Sequence, residues 1–137
     1  MERQVTCKER VRGYYRARMD DLGKLWAAYQ DGKPDIPDLG SIFDYGLCFD
    51  YVAPGTFRDQ KRGFFRYQIS YGGPQDEFRF FCDETRTPVK VEYWFLDWFD
   101  GAKITAQGKN LSLLLELFDW FKESGTVDDL LNKSLDD

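Results

Sequence analysis

Three runs of this sequence alternate aromatic and polar residues with a period of two. Phe65, Tyr67, Ile69 and Tyr71 recur at every second position of 64–71, Phe78, Phe80 and Cys82 within 77–83, and Val91, Tyr93 and Phe95 within 89–99. After Gly46 the same period begins with Leu47, Phe49 and Tyr51. Successive side chains of a strand point to opposite faces, so each run reads as a strand with one apolar face. The links are short and turn-rich: Pro54-Gly55, Gly72-Gly73-Pro74, and Thr85 to Pro88. Such links join antiparallel neighbours, and the pattern predicts a four-stranded antiparallel meander. Any fold of this chain must cover that aromatic face.

Helical periods flank the strands. Thr6 with Glu9 three residues on marks a helix start. Tyr15, Met19, Leu22, Trp26 and Tyr29 then form one stripe, before Asp31-Gly32-Lys33-Pro34 ends the helix near Tyr29. A short helix is expected after Asp38, through Phe43 to Tyr45. Beyond the fourth strand, 100–109 reads as a connector. Asn110 reads as the cap of a helix carrying Leu113, Leu114, Leu117, Phe118 and Phe121. Thr126 with Asp129 opens a last helix with Val127, Leu130, Leu131 and Leu135. The expected class is α+β in one domain, 1–137: an N-terminal helix, a four-stranded antiparallel β-meander, and two C-terminal helices packed on one sheet face.

Several chemistries are excluded by residue type. There is no histidine among the 137 residues, so no Ser-His-Asp triad and no histidine metal ligand. Neither the P-loop pattern nor G-x-G-x-x-G occurs. Asp97-Trp98-Phe99-Asp100-Gly101 is not an EF-hand loop. Cys7, Cys48 and Cys82 are too few and too scattered for a disulfide framework or a zinc site, and are expected to be buried thiols. No cofactor and no metal are expected. Glu92, Asp97 and Asp100 are the nearest candidates for the carboxylate pair that an Asp/Glu-based enzyme would use. Asp97 lies between Phe95 and Phe99 on the apolar face. It is expected to be a structural tie to a partner such as an arginine. The charged start lacks a secretory signal, and the apolar run 113–118 is interrupted by Glu116. A cytoplasmic protein with no membrane contact is the expectation.

The opposite sheet face is the informative one. It carries Cys48 and Asp50, then Phe64, Arg66 and Gln68, then Glu77, Arg79 and Phe81, then Glu92, Trp94, Leu96 and Trp98. Asp50, Arg66, Glu77, Arg79 and Glu92 alternate in sign and read as a wet, self-satisfied surface. Phe81, Trp94, Leu96 and Trp98 are not needed for solubility. A loop or helix of this chain covers them, or a partner does, which makes them the protein-binding candidates.

Charge is uneven along a chain of net charge −5. Residues 1–18 hold six basic side chains against Glu2 and Glu9, and the remainder is strongly acidic. Lys8, Arg12 and Arg16 lie four apart on one helical stripe and are the nucleic-acid-binding candidates. The bland reading of that stripe is a solvated face with pairs such as Arg16 and Asp20. The C-terminal part from Asn110 holds seven acidic residues against Lys122 and Lys133. A dedicated DNA mimic would be far more acidic.

Several segments together resemble a group of small uncharacterised accessory proteins of bacterial plasmids, integrative elements and phages. They are Tyr45-Gly46-Leu47, Phe49 to Phe57, Gly63 to Gln68, Gly72-Gly73-Pro74, Asp76 to Phe80 and Glu92 to Gly101. The resemblance spans about 45–101 and brings no catalytic residue with it. It implies a genomic setting in which accessory genes often encode inhibitors of restriction or CRISPR systems. The function expected is a non-enzymatic module that binds a protein partner or a second copy of itself, with a mobile-element inhibitor of host defence as its setting. The alternatives are a nucleic-acid accessory protein using the first helix, and an enzyme with an Asp/Glu site.

Overall fold

A computed structural model describes residues 6–98 and 100–136. Glu2, Arg3, Phe99 and the side chain of Leu135 lie outside the described residues. The elements are α1 (Cys7–Gln30), α2 (Ile42–Tyr45), β1 (Cys48–Val52), β2 (Phe64–Ser70), β3 (Pro74–Cys82), β4 (Pro88–Asp97), β5 (Asp100–Thr105), α3 (Gly108–Glu123) and α4 (Thr126–Asp136). The sheet is an antiparallel meander in the order β1-β2-β3-β4-β5. It has five strands, not the four expected. The segment read as a connector from Asp100 pairs with β4, Trp94 opposite Lys103 and Tyr93 opposite Ile104.

The aromatic face is covered by the helices, as the periodicity requires. Phe65 stands opposite Phe80, Tyr67 opposite Phe78, and Phe78 opposite Tyr93. Phe78, Phe80, Val91 and Tyr93 are fully buried there. α1 lays Val11, Tyr15, Met19, Leu22, Leu25 and Trp26 on this layer, and α3 adds Leu114, Leu117 and Phe118. The indole of Trp26 donates to Glu116 at 2.9 Å, tying α1 to α3. α3 begins at Gly108 after an extended Gln107, so Asn110 lies inside the helix rather than capping it.

The β4–β5 hairpin meets the start of α1. Thr6 Oγ1 accepts from the backbone N–H of Glu9 at 3.3 Å. Asp100 at the start of β5 accepts from the N–H of Cys7 at 2.8 Å. A carboxylate there satisfies an unpaired helical donor and complements the helix dipole. Asp97 is held by Arg10 Nη1 at 2.8 Å, so the expected arginine tie is present.

A second carboxylate on the helix-covered face, Asp76, is 1 % exposed. Arg18 grips it with Nε at 2.6 Å and Nη2 at 3.2 Å, and the hydroxyls of Tyr93 and Ser70 donate to it at 2.6 and 2.5 Å. Arg18 also donates to Tyr45, whose hydroxyl donates to Asp21 at 2.7 Å. The pairing of β2 with β3 is irregular between Gln68 and Ser70. Such a bulge reverses the alternation, so Ser70 reaches Asp76 and Tyr71 turns out of the aromatic face where periodicity places it. Of the three free thiols only Cys7 is buried, while Cys48 is exposed on edge strand β1.

Candidate nucleic-acid interface

The face of the sheet away from the helices is a groove of about 800 Å³. Its floor is the second set of alternating side chains, and the loop 53–63 between β1 and β2 curls over one end. Gln60 fastens that loop. Its amide donates to the carbonyls of Ala53 and Arg62 at 3.1 and 2.8 Å, and its side-chain oxygen accepts from the N–H of Phe57 at 2.9 Å. At Gly63 a Cβ would stand 2.2 Å from the Tyr51 hydroxyl, so only glycine lets the loop rejoin β2 this closely. The loop buries Val52 and Phe64, although both belong to the groove face.

Rings and cations interleave across the floor. The Arg79 guanidinium lies 4.1 Å from the centroid of Trp94 and 4.7 Å from that of Phe64. Lys90 lies 4.7 Å from the Phe81 centroid and Lys103 5.5 Å from that of Trp94. These are cation–π distances, stronger where water is excluded. Phe81 and Trp94 are therefore half-buried under their own chain's cations rather than forming a dry apolar patch. The sign-alternating residues are not the wet ladder that alternation suggests either. Arg66 does clasp Asp50 at 3.0 and 2.7 Å. Glu77, however, is fully buried, with Arg79 Nε at 2.7 Å and the Gln75 amide at 3.0 Å.

Glu92 is 3 % exposed. It accepts from Lys103 Nζ and Trp94 Nε1 at 3.1 Å each, with Lys90 Nζ at 3.5 Å. Burial alone would raise its pKa. The bonds from Lys103 and Trp94 and the two ammonium charges outweigh burial and hold it below the ordinary 4.5. A depressed carboxyl contributes stability that is present above its unfolded pKa and lost as pH falls through the folded one. The urea midpoint of the wild-type protein is therefore expected to fall as pH drops below about 4.5. In Glu92→Gln the fall is shallower, with a residual slope from Asp83 and Asp100, whose pKa values are also lowered. Parallel midpoint-versus-pH curves for the two proteins would contradict this account of Glu92.

The groove carries an excess of positive charge on a chain of net charge −5. Arg58, Lys61 and Arg62 line it from the loop, and Arg66, Arg79, Lys90 and Lys103 from the strands. Against these seven cations stand three carboxylates, Asp59, Glu77 and Glu92. The strand cations are matched by Asp50, Glu77 and Glu92. The loop cations form no ion pair among the described residues.

At its far end the groove runs into a hollow of about 610 Å³ bounded by Gly72, Gly73, Gln75, Leu96 and Trp98. Here the placement of Trp98 departs from the periodicity. β4 ends at Asp97, which pairs with Asp100 across a two-residue tip. Trp98 sits in that tip with φ +57° and 84 % exposed. Tyr71, turned outward by the bulge, is 75 % exposed at the same end. Neither ring has a ring partner among the described residues.

Of the candidate residues, Phe81, Trp94 and Leu96 share the groove, and Trp98 stands at its end. Lys8, Arg12 and Arg16 are exposed on α1, on the opposite side of the sheet, and form no ion pair among the described residues. Arg16 makes no salt bridge with Asp20. Glu92, Asp97 and Asp100 do not converge. Glu92 belongs to the groove, whereas Asp97 and Asp100 are engaged by α1 on the other face. Among the described residues no His, Cys, Asp or Glu cluster could hold a metal ion, and no helix is long and apolar enough to cross a membrane. Sequence reasoning overlooked the loop cations. The signal was the basic run 58–62 between two aromatic strands. Comparison with family models, with curated proteins and with solved structures finds no match.

Proposed function

We propose that this chain is a non-enzymatic binding module that works through the open face of its sheet and holds an anionic partner. One observation carries this reading: the groove combines unpaired cations from loop 58–62 with aromatic rings on a rigid sheet, on a chain that is acidic overall. Local positive potential in a concave site concentrates anionic partners even when net charge is negative. For a chain resembling accessory proteins of plasmids and phages, occupying a component of host defence is the role such a surface would serve.

A polyanion tests the surface directly. The wild-type protein is expected to be retained on immobilised heparin at about 50 mM salt and released by about 200 mM. The exposed loop triple Arg58→Glu, Lys61→Glu, Arg62→Glu is expected to flow through. A second reading uses three unpaired cations of α1, Lys8, Arg12 and Arg16. If Lys8→Glu, Arg12→Glu, Arg16→Glu abolishes retention instead, the helix is the anion-binding surface. Flow-through of the wild-type protein at low salt, or indifference to both triples, would refute the groove reading.

A further inference from the structure

We propose that the partner of the groove is a single strand of nucleic acid, its phosphates on the 58–62 loop and its bases stacked on Trp98 and Tyr71. This rests on the reading of the groove as an anion-binding surface and names the class of anion. Charge alone does not separate a nucleic acid from an acidic peptide; the rings at the far end do.

Trp98 occupies a left-handed backbone position, φ +57°, where Gly, Asn or Asp fits with least strain. A bulky residue held there with 84 % exposure presents its ring outward at a conformational cost that burial does not offset. Tyr71 is presented beside the same hollow by the bulge in β2. Gly72 and Gly73 carry no side chain that would block the approach, and a Cβ at either would meet nothing within 4 Å. A polyanionic peptide offers two bare rings only an occasional apolar side chain. A nucleic acid offers them a stacking partner at every nucleotide, because every base has a π-face. Bases within a duplex are already stacked on one another, so these platforms serve only unstacked bases.

The charge lies where a backbone would need it. Lys90 and Leu96, both on the groove face of β4, are six residues apart, which makes the path from the loop end to the Trp98 end about 20 Å. Arg58, Lys61 and Arg62 stand free of carboxylate partners among the described residues at one end, and the rings stand at the other. A strand running along this path pairs phosphates with the loop and bases with the rings. Single-strand platforms elsewhere use this combination of a charged track and stacking side chains.

Fluorescence anisotropy of a labelled oligothymidylate of about 12 nucleotides tests the proposal. The competitors are a duplex of the same length and polyglutamate. The single strand is expected to bind more tightly than both. Its affinity should fall with salt, with a log–log slope of about −0.7 per phosphate contacted. Trp98→Asn, which suits the left-handed backbone, and Tyr71→Ala are each expected to weaken binding about tenfold without changing the slope. Replacing Arg58, Lys61 and Arg62 with alanine should flatten the slope by about 2. All the substituted side chains are exposed, and unchanged thermal unfolding confirms that each variant is folded. Binding that is equal for oligothymidylate and polyglutamate, or untouched by Trp98→Asn and Tyr71→Ala, overturns the nucleic-acid assignment and leaves an acidic protein as the partner. Preference for the duplex overturns it as well. Heparin retention without oligonucleotide binding sinks this inference alone, and loss of both sinks the anion-binding reading with it.

Discussion

Asp76→Ala is expected to lose about 3–5 kcal/mol of stability, the usual cost of removing one partner from a buried ion pair. The carboxylate is the hub of a closed network. Arg18 holds both its oxygens, and the Tyr93 and Ser70 hydroxyls donate to it. Deleting it leaves a guanidinium that is 25 % exposed and two hydroxyls without an acceptor. A small domain has about 5–15 kcal/mol in total, so the variant should unfold at a much lower urea concentration. The pair itself is not worth that much, because taking two charges out of water offsets most of their attraction. The double variant Arg18→Met with Asp76→Leu is therefore expected to be more stable than Asp76→Leu alone. Urea titrations followed by far-ultraviolet circular dichroism of the single and double variants measure both effects. A loss below about 1 kcal/mol for Asp76→Ala would mean that the network does not hold α1 to the sheet.

Phe118→Ala is expected to cost about 3–5 kcal/mol by a different route. Phe118 is fully buried where α3 meets the sheet, its ring centroid 5.1 Å from Phe80, 5.6 Å from Phe65 and 6.2 Å from Phe49. All three neighbours are fixed by strand register, so the cavity cannot close by a side chain swinging in. Phe118→Leu keeps most of the volume and should cost less than about 1.5 kcal/mol. The melting temperature of the alanine variant should fall by about 10–20 °C. Equal melting temperatures for the alanine and leucine variants would show that the site collapses on truncation.

The sequence made the sheet legible because period two survives in side chains large enough to count. It hid β5 because 100–105 reads Asp-Gly-Ala-Lys-Ile-Thr, whose apolar positions are only Ala102 and Ile104. Gly101 lowers the strand signal further; it sits against the Leu96 side chain, which would have to swing aside for a Cβ. The tie at Asp97 could be anticipated because a carboxylate on an apolar face needs a donor, but no local pattern says that Arg10 supplies it. Asp76 continues the alternation of Phe78 and Phe80, but β3 starts at Pro74, ahead of the first aromatic residue that marks it, so nothing local shows that Asp76 lies in a strand. The groove was half visible. Phe81, Trp94 and Leu96 fall on the right face by alternation, but Lys103 over Trp94 comes from β5, and Arg62 over Phe81 comes from a loop whose return over the sheet has no periodicity. A bulge turned Tyr71 and a hairpin tip displaced Trp98, and each shift depends on pairing with a neighbouring strand.

The position of α1 has a consequence for how the chain is made. All four strand pairings join sequence neighbours, so the sheet can zip hairpin by hairpin. α1 has no such neighbour. Its nearest tie to the sheet runs from Arg18 to Asp76, 58 residues on, and the others run to Asp100 from Cys7, to Asp97 from Arg10 and to Glu116 from Trp26, at separations of 93, 87 and 90 residues. On a ribosome adding about 5–20 residues per second, α1 waits about 3–18 s for these partners. Until β3 and β4 have emerged and paired, the stripe of Leu22, Leu25 and Trp26 has no sheet to cover it. α1 is made ahead of the sheet it packs on and completes its ties only once β5 and α3 have followed, so its apolar stripe is most exposed to chaperones and proteases before the β3–β4 hairpin forms.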